Sequence, residues 1–173
     1  KRQACGYSPL IMTTTTNGQR FLSDVKELRR RAREHIEKGA VTPDYGLDPK
    51  SAIELLQGAL ATEIVCVLRY TMHSIAATGI SSKGPKEEFE EHAGDEREHM
   101  ERIAERINQL GGTPNFDPEG LAMRAASQYG ASDLDLVGML KENLVAERVA
   151  IEHYRELIHF FGEKDPTTRI MLE

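Results

Sequence analysis

Three glutamates and one histidine in this chain stand at positions where helical spacing calls for apolar residues. Glu63 falls among Leu60, Cys66, Val67 and Tyr70, which share its face if the segment is helical. Glu96-Arg97-Glu98-His99 is an E-x-x-H pair on a stripe with Phe89, Ala93, Met100 and Ile103. Glu147 lies among Leu140, Leu144, Ala150, Ile151 and Tyr154. Taken singly each has an ordinary explanation. A lone glutamate on such a stripe is more often a rim residue with its stem along apolar surface, and E-x-x-H in a stretch rich in Glu and His is by default a solvated face. Taken together they are harder to dismiss, because each buried charge without a partner would cost several kcal/mol of desolvation. A metal cation supplies the missing positive charge. Carboxylate oxygens and imidazole nitrogens suit Fe(II), and bridging carboxylates can hold two metals close enough for O2 or peroxide to take one electron from each. His92 shares a face with Glu96 at i, i+4 and is a rival ligand, with His99 ranked ahead of it.

Helices must position these groups. Asp48-Pro49 opens a long helix that runs to about Thr78 and is stopped by Gly79. Ser81 to Gly84 form a turn, Pro85 starts a second helix whose apolar spacing runs from Phe89 to Leu110, and Gly111-Gly112 end it. Thr113 to Ala131, with two prolines and two glycines around Leu121-Ala122-Met123, reads as a long crossover containing one helical turn. Ser132 or Asp133 caps a third helix that runs to about Phe161 before Gly162. Asp165-Pro166 opens a fourth, of which Thr167 to Glu173 are the first turns. No segment alternates with period two, so no strand is expected. Residues 1–22 read as a flexible tail in which Met12 could be the natural start. Residues 23–47 hold a short amphipathic helix, capped by Asp24 with Glu27 and ended by Gly39, and a loop, and residues 48–173 form the main domain.

The chain also echoes itself. Leu60, Glu63 and Tyr70 recur as Leu144, Glu147 and Tyr154 at an offset of 84. The same offset carries the E-x-x-H pair to positions 180 and 183, past the last residue, so the expectation is a fourth helix truncated here and a second E-x-x-H beyond it.

One Glu from each of two helices and E-x-x-H from the others is the ligand plan of di-iron carboxylate bundles. Over roughly Ser51 to Glu173, through ALATEIVCVLRYTMHS, GDEREHMERI, NLVAERVAIEHYREL and FGEKDPTT, the chain resembles bacterioferritin-related and Dps-like ferritins. The resemblance implies an all-α, ferritin-like antiparallel four-helix bundle with a long crossover between the second and third helices, plus a short N-terminal helix. It implies Glu63 and Glu147 as terminal ligands of one iron each, Glu96 as a bridge, His99 as a ligand to one iron, and Tyr70 as the redox-active tyrosine beside them. The position of the bacterioferritin haem methionine is Arg97 here, so a di-iron centre without haem is expected. The activity implied is a ferroxidase using O2 or H2O2, storing iron in a hollow homo-oligomeric cage, a 12-mer or 24-mer.

Bulk properties agree with a cation-collecting protein. Lys+Arg 22 against Asp+Glu 28 gives a net charge of -6, which disfavours a dedicated nucleic-acid binder. The basic run Lys26, Arg29, Arg30, Arg31 and Arg33 could touch DNA, as the tails of some Dps proteins are thought to do, but a solvated helix face is the default for such a run. Cys5 and Cys66 form no CxxC pair, which fits a reducing cytoplasm. Cys66 reads as a packed core residue, with a redox role near the iron left open by its place a turn from Glu63. No apolar run approaches the roughly 18 residues of a membrane span, and no signal peptide is expected. Two other readings stay open: a rubrerythrin-like peroxidase or other di-iron oxidoreductase, and a metal-free helical interaction protein whose glutamates are rim residues.

Overall fold

The computed structural model describes residues 24–173 except 35, 40, 43 and 131–133. The expected tail at 1–22, with Cys5 and Met12, and the Ser132 or Asp133 cap lie outside the described residues. The chain divides into two compact units, one ending at Lys38 and one spanning Gly39–Glu173.

The first unit holds α1 (Val25–Glu34) and a 3-10 turn at Ile36–Lys38, and α1 has no buried residue. Its start differs from a capping box: Asp24 Oδ1 accepts from the Lys26 amide at 2.7 Å. Arg30 is held by Glu27 at 2.7 Å and by Glu34 at 2.6 Å, so part of the basic run is neutralised along its own helix.

The second unit is built from α2 (Pro49–Ala76), α3 (Lys83–Gln109), a short α4 (Leu121–Arg124), α5 (Leu136–Phe161) and α6 (Pro166–Leu172), with no strand among the described residues. Local chemistry sets the boundaries. Asp48 accepts from the Ser51 amide at 3.0 Å, and Pro49, whose fixed φ suits the first helical position, follows it. Helix α3 starts at Lys83, ahead of the expected Pro85. The proline is tolerated because amides of the first turn have no helical acceptor to lose. Helix α5 is capped by Asp135, which accepts from Gly138 N at 2.7 Å.

Pairings between helices fix their directions. Tyr70 meets Phe89 and His92 on α3, while Glu63, earlier on α2, meets His99, so α2 and α3 are antiparallel. Tyr70 meets Glu147 on α5 and Glu63 meets Tyr154, so α2 and α5 are antiparallel too. Consequently α3 and α5 run the same way, and the chain between them must travel the length of the bundle. It does so along α2: Gln57 bonds Thr113 O at 2.8 Å, Thr62 Oγ1 accepts from Ala126 N at 2.9 Å, and Arg69 donates to Gln128 O at 2.7 Å.

Two apolar clusters form the core. Leu56, Leu60, Ile103, Ile107, Leu157 and Phe161 occupy one end, and Cys66, Tyr70, Phe89, Ala93 and Met139 the other. Each large side chain so buried stabilises the fold by about 1.5–3 kcal/mol. The stretch between the clusters is where Glu63 and Glu96 sit.

Two expectations need correction. Helix α2 contains a window of mean hydropathy 1.6 that is long and apolar enough to cross a membrane. Half of that window is buried in this fold, and Glu63, Arg69 and His73 are buried on the helix, which marks it as the core helix of the bundle. On α5 the apolar stripe is largely uncovered: Leu144 is 70% exposed and Ile151 52%. The reason is geometric, since α6 has seven residues and packs at the C-terminal end of α5, where Leu172 joins Leu157 and Phe161.

Candidate metal centre

Glu63 and Glu96 approach each other from α2 and α3 across the bundle interior, 2% and 8% exposed. With His99, one turn along α3 from Glu96, they offer ligand atoms that all lie within 4.8 Å of one another. His99 Nδ1 is 2.9 Å from Glu96 Oε2 and 3.9 Å from Glu63 Oε2. Glu147 stands half-exposed on α5 and lines the same cavity of about 330 Å³, with Ile103 and Tyr154 among its walls. Its carboxylate is not in the three-residue cluster, and its described partners are Tyr70 and His92. His92 therefore belongs to the Glu147 side, its Nδ1 3.4 Å from Glu147 Oε1 and its ring 5.1 Å from that of Tyr70.

Two tyrosines reach across the bundle in opposite directions. Tyr70 on α2 donates to Glu147 on α5. Tyr154 on α5 donates to Glu63 Oε1 on α2 at 2.5 Å. Both phenols are held above their ordinary pKa, first by burial and then by the carboxylate each one faces. Tyr154 was not singled out from the sequence as a site residue. The signal was present in the echo, which pairs Tyr154 with Tyr70 and Glu147 with Glu63.

The electrostatics of the pair are asymmetric. Burial, then the hydrogen bond Glu63 donates to Glu96 and the charge of Glu96, push Glu63 up to about 9, with Tyr154 opposing. For Glu96 burial also pushes upward, but the hydrogen bond with His99 and that with Glu63 outweigh it and the carboxyl stays below its ordinary value. One proton thus sits on Glu63 and its partner carries the charge. His99 is raised by Glu96 in turn. Two buried carboxylates and a solvent-facing imidazole crowded together, with a proton standing in for a cation, fit a divalent first-row metal with oxygen and imidazole preference. Cys66 is not part of this chemistry. It is a buried free thiol whose pKa burial pushes up to about 12, beyond the effect of nearby Arg69, so it packs as a small apolar group.

The buried pairing of Arg106 with the cap residue Asp165 was also missed. Arg106 Nη2 bonds both Asp165 oxygens at 3.1 Å and its Nε bonds Thr168 Oγ1 at 2.7 Å, while Tyr45 donates to Asp165 at 2.8 Å. This buried network clamps the start of α6 onto α3, and so fixes the end wall of the cavity that Leu172 lines.

The sequence signature of the ferritin family, a ferritin-like domain, matches residues 53–173. The chain belongs to the ferritin-like family. Among similar proteins, the "DNA protection during starvation protein" of Pyrococcus furiosus is 33% identical over 125 residues, covering 71% of this chain and 68% of that protein. The "Nutrient stress-induced DNA-binding protein" of Synechococcus sp. is 29% identical, covering 74% and 76%. Among solved structures, this ferritin-like chain superposes with a TM-score of 0.70 on the bacterioferritin-related protein of Bacteroides fragilis, a dodecameric thioferritin. The two are 32% identical, and the match covers 86% of this chain and 82% of that one. The Dps protein of Vibrio cholerae, at 18% identity and a TM-score of 0.68 over 72% of this chain and 79% of its own, shares the fold. The all-α bundle expected from the sequence is the fold of these neighbours.

Proposed function

We propose that this ferritin-like protein oxidises Fe(II) at a di-iron carboxylate site and stores the product, protecting its cell from iron-driven oxidation. The observation that carries the reading is the convergence of the buried Glu63 and Glu96 with the more exposed His99, their ligand atoms within 4.8 Å of one another. Fe(II) is the substrate. Glu96, already ionised, and His99 provide the first anionic and imidazole donors, and Glu63 gives up its proton as the cation enters. Tyr154 keeps Glu63 Oε1 oriented, and Tyr70 holds Glu147 at the opposite wall as the fourth donor. Two Fe(II) ions bound together each lose one electron, and O2 or H2O2 accepts the pair. Tyr70 is close enough to the Glu147 side to supply an electron when the pair is incomplete.

The resemblance to a dodecameric relative favours a cage of twelve subunits over twenty-four, and Arg97 in the place of the bacterioferritin haem methionine favours a centre without haem. The buried free thiol suits the cytoplasm. DNA contact through α1 is the weaker extension of the relatives' names, because Glu27 and Glu34 already engage Arg30.

Glu96→Ala tests the reading. Rapid Fe(II) oxidation followed by stopped-flow absorbance is expected to vanish while the helical circular dichroism is retained. A variant as fast as the parent would overturn the assignment. Native mass spectrometry separates a storage cage from a dimeric oxidoreductase of the rubrerythrin kind.

A further inference from the structure

Six residues beyond Glu63 on α2, the guanidinium of Arg69 is enclosed by protein, with the residue 2% exposed. Its described partners carry no negative charge. Nη1 donates to the Gln128 carbonyl at 2.7 Å, Nη2 lies 3.5 Å from Cys66 Sγ, and the guanidinium carbon sits 5.4 Å from the centre of the Tyr70 ring. Nε is buried with no hydrogen-bond partner, and the buried hydroxyl of Ser127 on the crossover faces only the weakly accepting Cys66 sulfur. Both residues line a cavity of about 250 Å³ between α2, the crossover and α5, which shares no lining residue with the carboxylate cavity. Val145, Ala146 and Val149 form its apolar wall, and Glu142 its remaining charged group.

A buried cation with open donors is costly unless an anion completes it. The open Nε–H of the guanidinium can donate to one oxygen of an oxyanion in a charge-assisted hydrogen bond, and a hydroxyl alongside adds a second donor. The volume equals that of several water molecules at about 30 Å³ each, room for a free tetrahedral anion. Glu142 selects among such anions. A carboxylate repels an oxyanion that has no proton, but accepts a hydrogen bond from one that keeps a P–OH. Phosphate keeps a proton at neutral pH and sulfate does not.

We propose that this pocket binds inorganic phosphate in its hydrogen-bearing form, with Arg69 Nε and the Ser127 hydroxyl donating to its oxygens and Glu142 accepting from its P–OH. The full chain in its native assembly is freed of iron by reduction and chelation, so that no iron phosphate forms, and titrated calorimetrically with sodium phosphate near neutral pH. Saturable binding is expected, with sulfate at least tenfold weaker. Arg69→Met is expected to abolish it and Ser127→Ala to weaken it severalfold. Glu142→Gln is expected to narrow the gap between phosphate and sulfate, because an amide can donate to either anion. Glycerol 2-phosphate is expected to bind more weakly than the free anion, and equal binding would overturn the inorganic assignment. Absence of phosphate binding by the parent, or sulfate binding equal to phosphate, overturns the proposal even if Arg69→Met does not fold.

Discussion

The phenol of Tyr154 donates to Glu63 across the bundle at 2.5 Å, and the residue that mirrors it, Tyr70, donates to Glu147 in the opposite direction. Helices α2 and α5 thus each supply both a carboxylate and the hydroxyl that orients its counterpart. A hydrogen bond to a charged group contributes about 1.5–3 kcal/mol. Tyr154→Phe leaves Glu63 without its donor and is expected to weaken binding of Zn(II), a redox-inert probe, by roughly tenfold to a hundredfold. Affinity equal to the parent's in a metal titration would remove Tyr154 from the site.

Metal entry should release a proton. Glu63 is held at about 9, so at neutral pH it is protonated and must ionise to ligate. Affinity for Zn(II) is therefore expected to rise as pH approaches about 9 and then level off. Calorimetry in buffers of different ionisation enthalpy measures the proton released at pH 7. A count near zero would mean that Glu63 is already ionised or does not ligate.

The same shift makes the site a source of instability in the metal-free protein. The folded pKa of Glu63 lies above the unfolded value, so the unfolded chain gives up this proton first and stability declines as pH rises between the two. Glu63→Gln, which keeps an oxygen for Tyr154, is expected to stabilise the metal-free protein at pH 7 to 9 while abolishing tight metal binding. The advantage should grow with pH at up to about 1.4 kcal/mol per unit. Urea midpoints that coincide at every pH would refute it.

Asp165 behaves in the opposite sense. Burial pushes its pKa up, but bonds from Thr168, Tyr45 and Arg106 outweigh burial and hold it below the ordinary carboxylate value. Its contribution is present above the unfolded pKa and is lost as pH falls through the folded one. Asp165→Asn leaves Arg106 buried without its charge and is expected to cost about 3–5 kcal/mol at neutral pH, with a flatter acid limb. Thermal melts at pH 7 and below check both effects.

Much of the arrangement was legible from periodicity because the informative residues violate it. Glu63 and Glu96 interrupt stripes of apolar residues, and helix caps such as Asp48 and Asp165 announce themselves locally. Glu147 was less legible. Its stripe predicted burial, whereas Leu144 and Ile151 beside it are exposed, because no described helix covers that face of α5. Arg106 was not legible at all, since in sequence it is one more charge on a charged helix, and its partner lies 59 residues away. Burial of that kind is decided by which helix docks where, and no local pattern encodes it.

The crossover that climbs along α2 also sets an order of assembly. The α2–α3 hairpin closes through a short turn, so Glu63, Glu96 and His99 meet as soon as two consecutive helices collapse. The tyrosine bridges join residues 77 and 91 positions apart, and they wait for closure of a far longer loop. A chain emerging from the ribosome therefore presents three metal donors before the groups that orient them arrive. On the proposed iron chemistry, the docking of α5 separates loose, premature metal capture from a governed site.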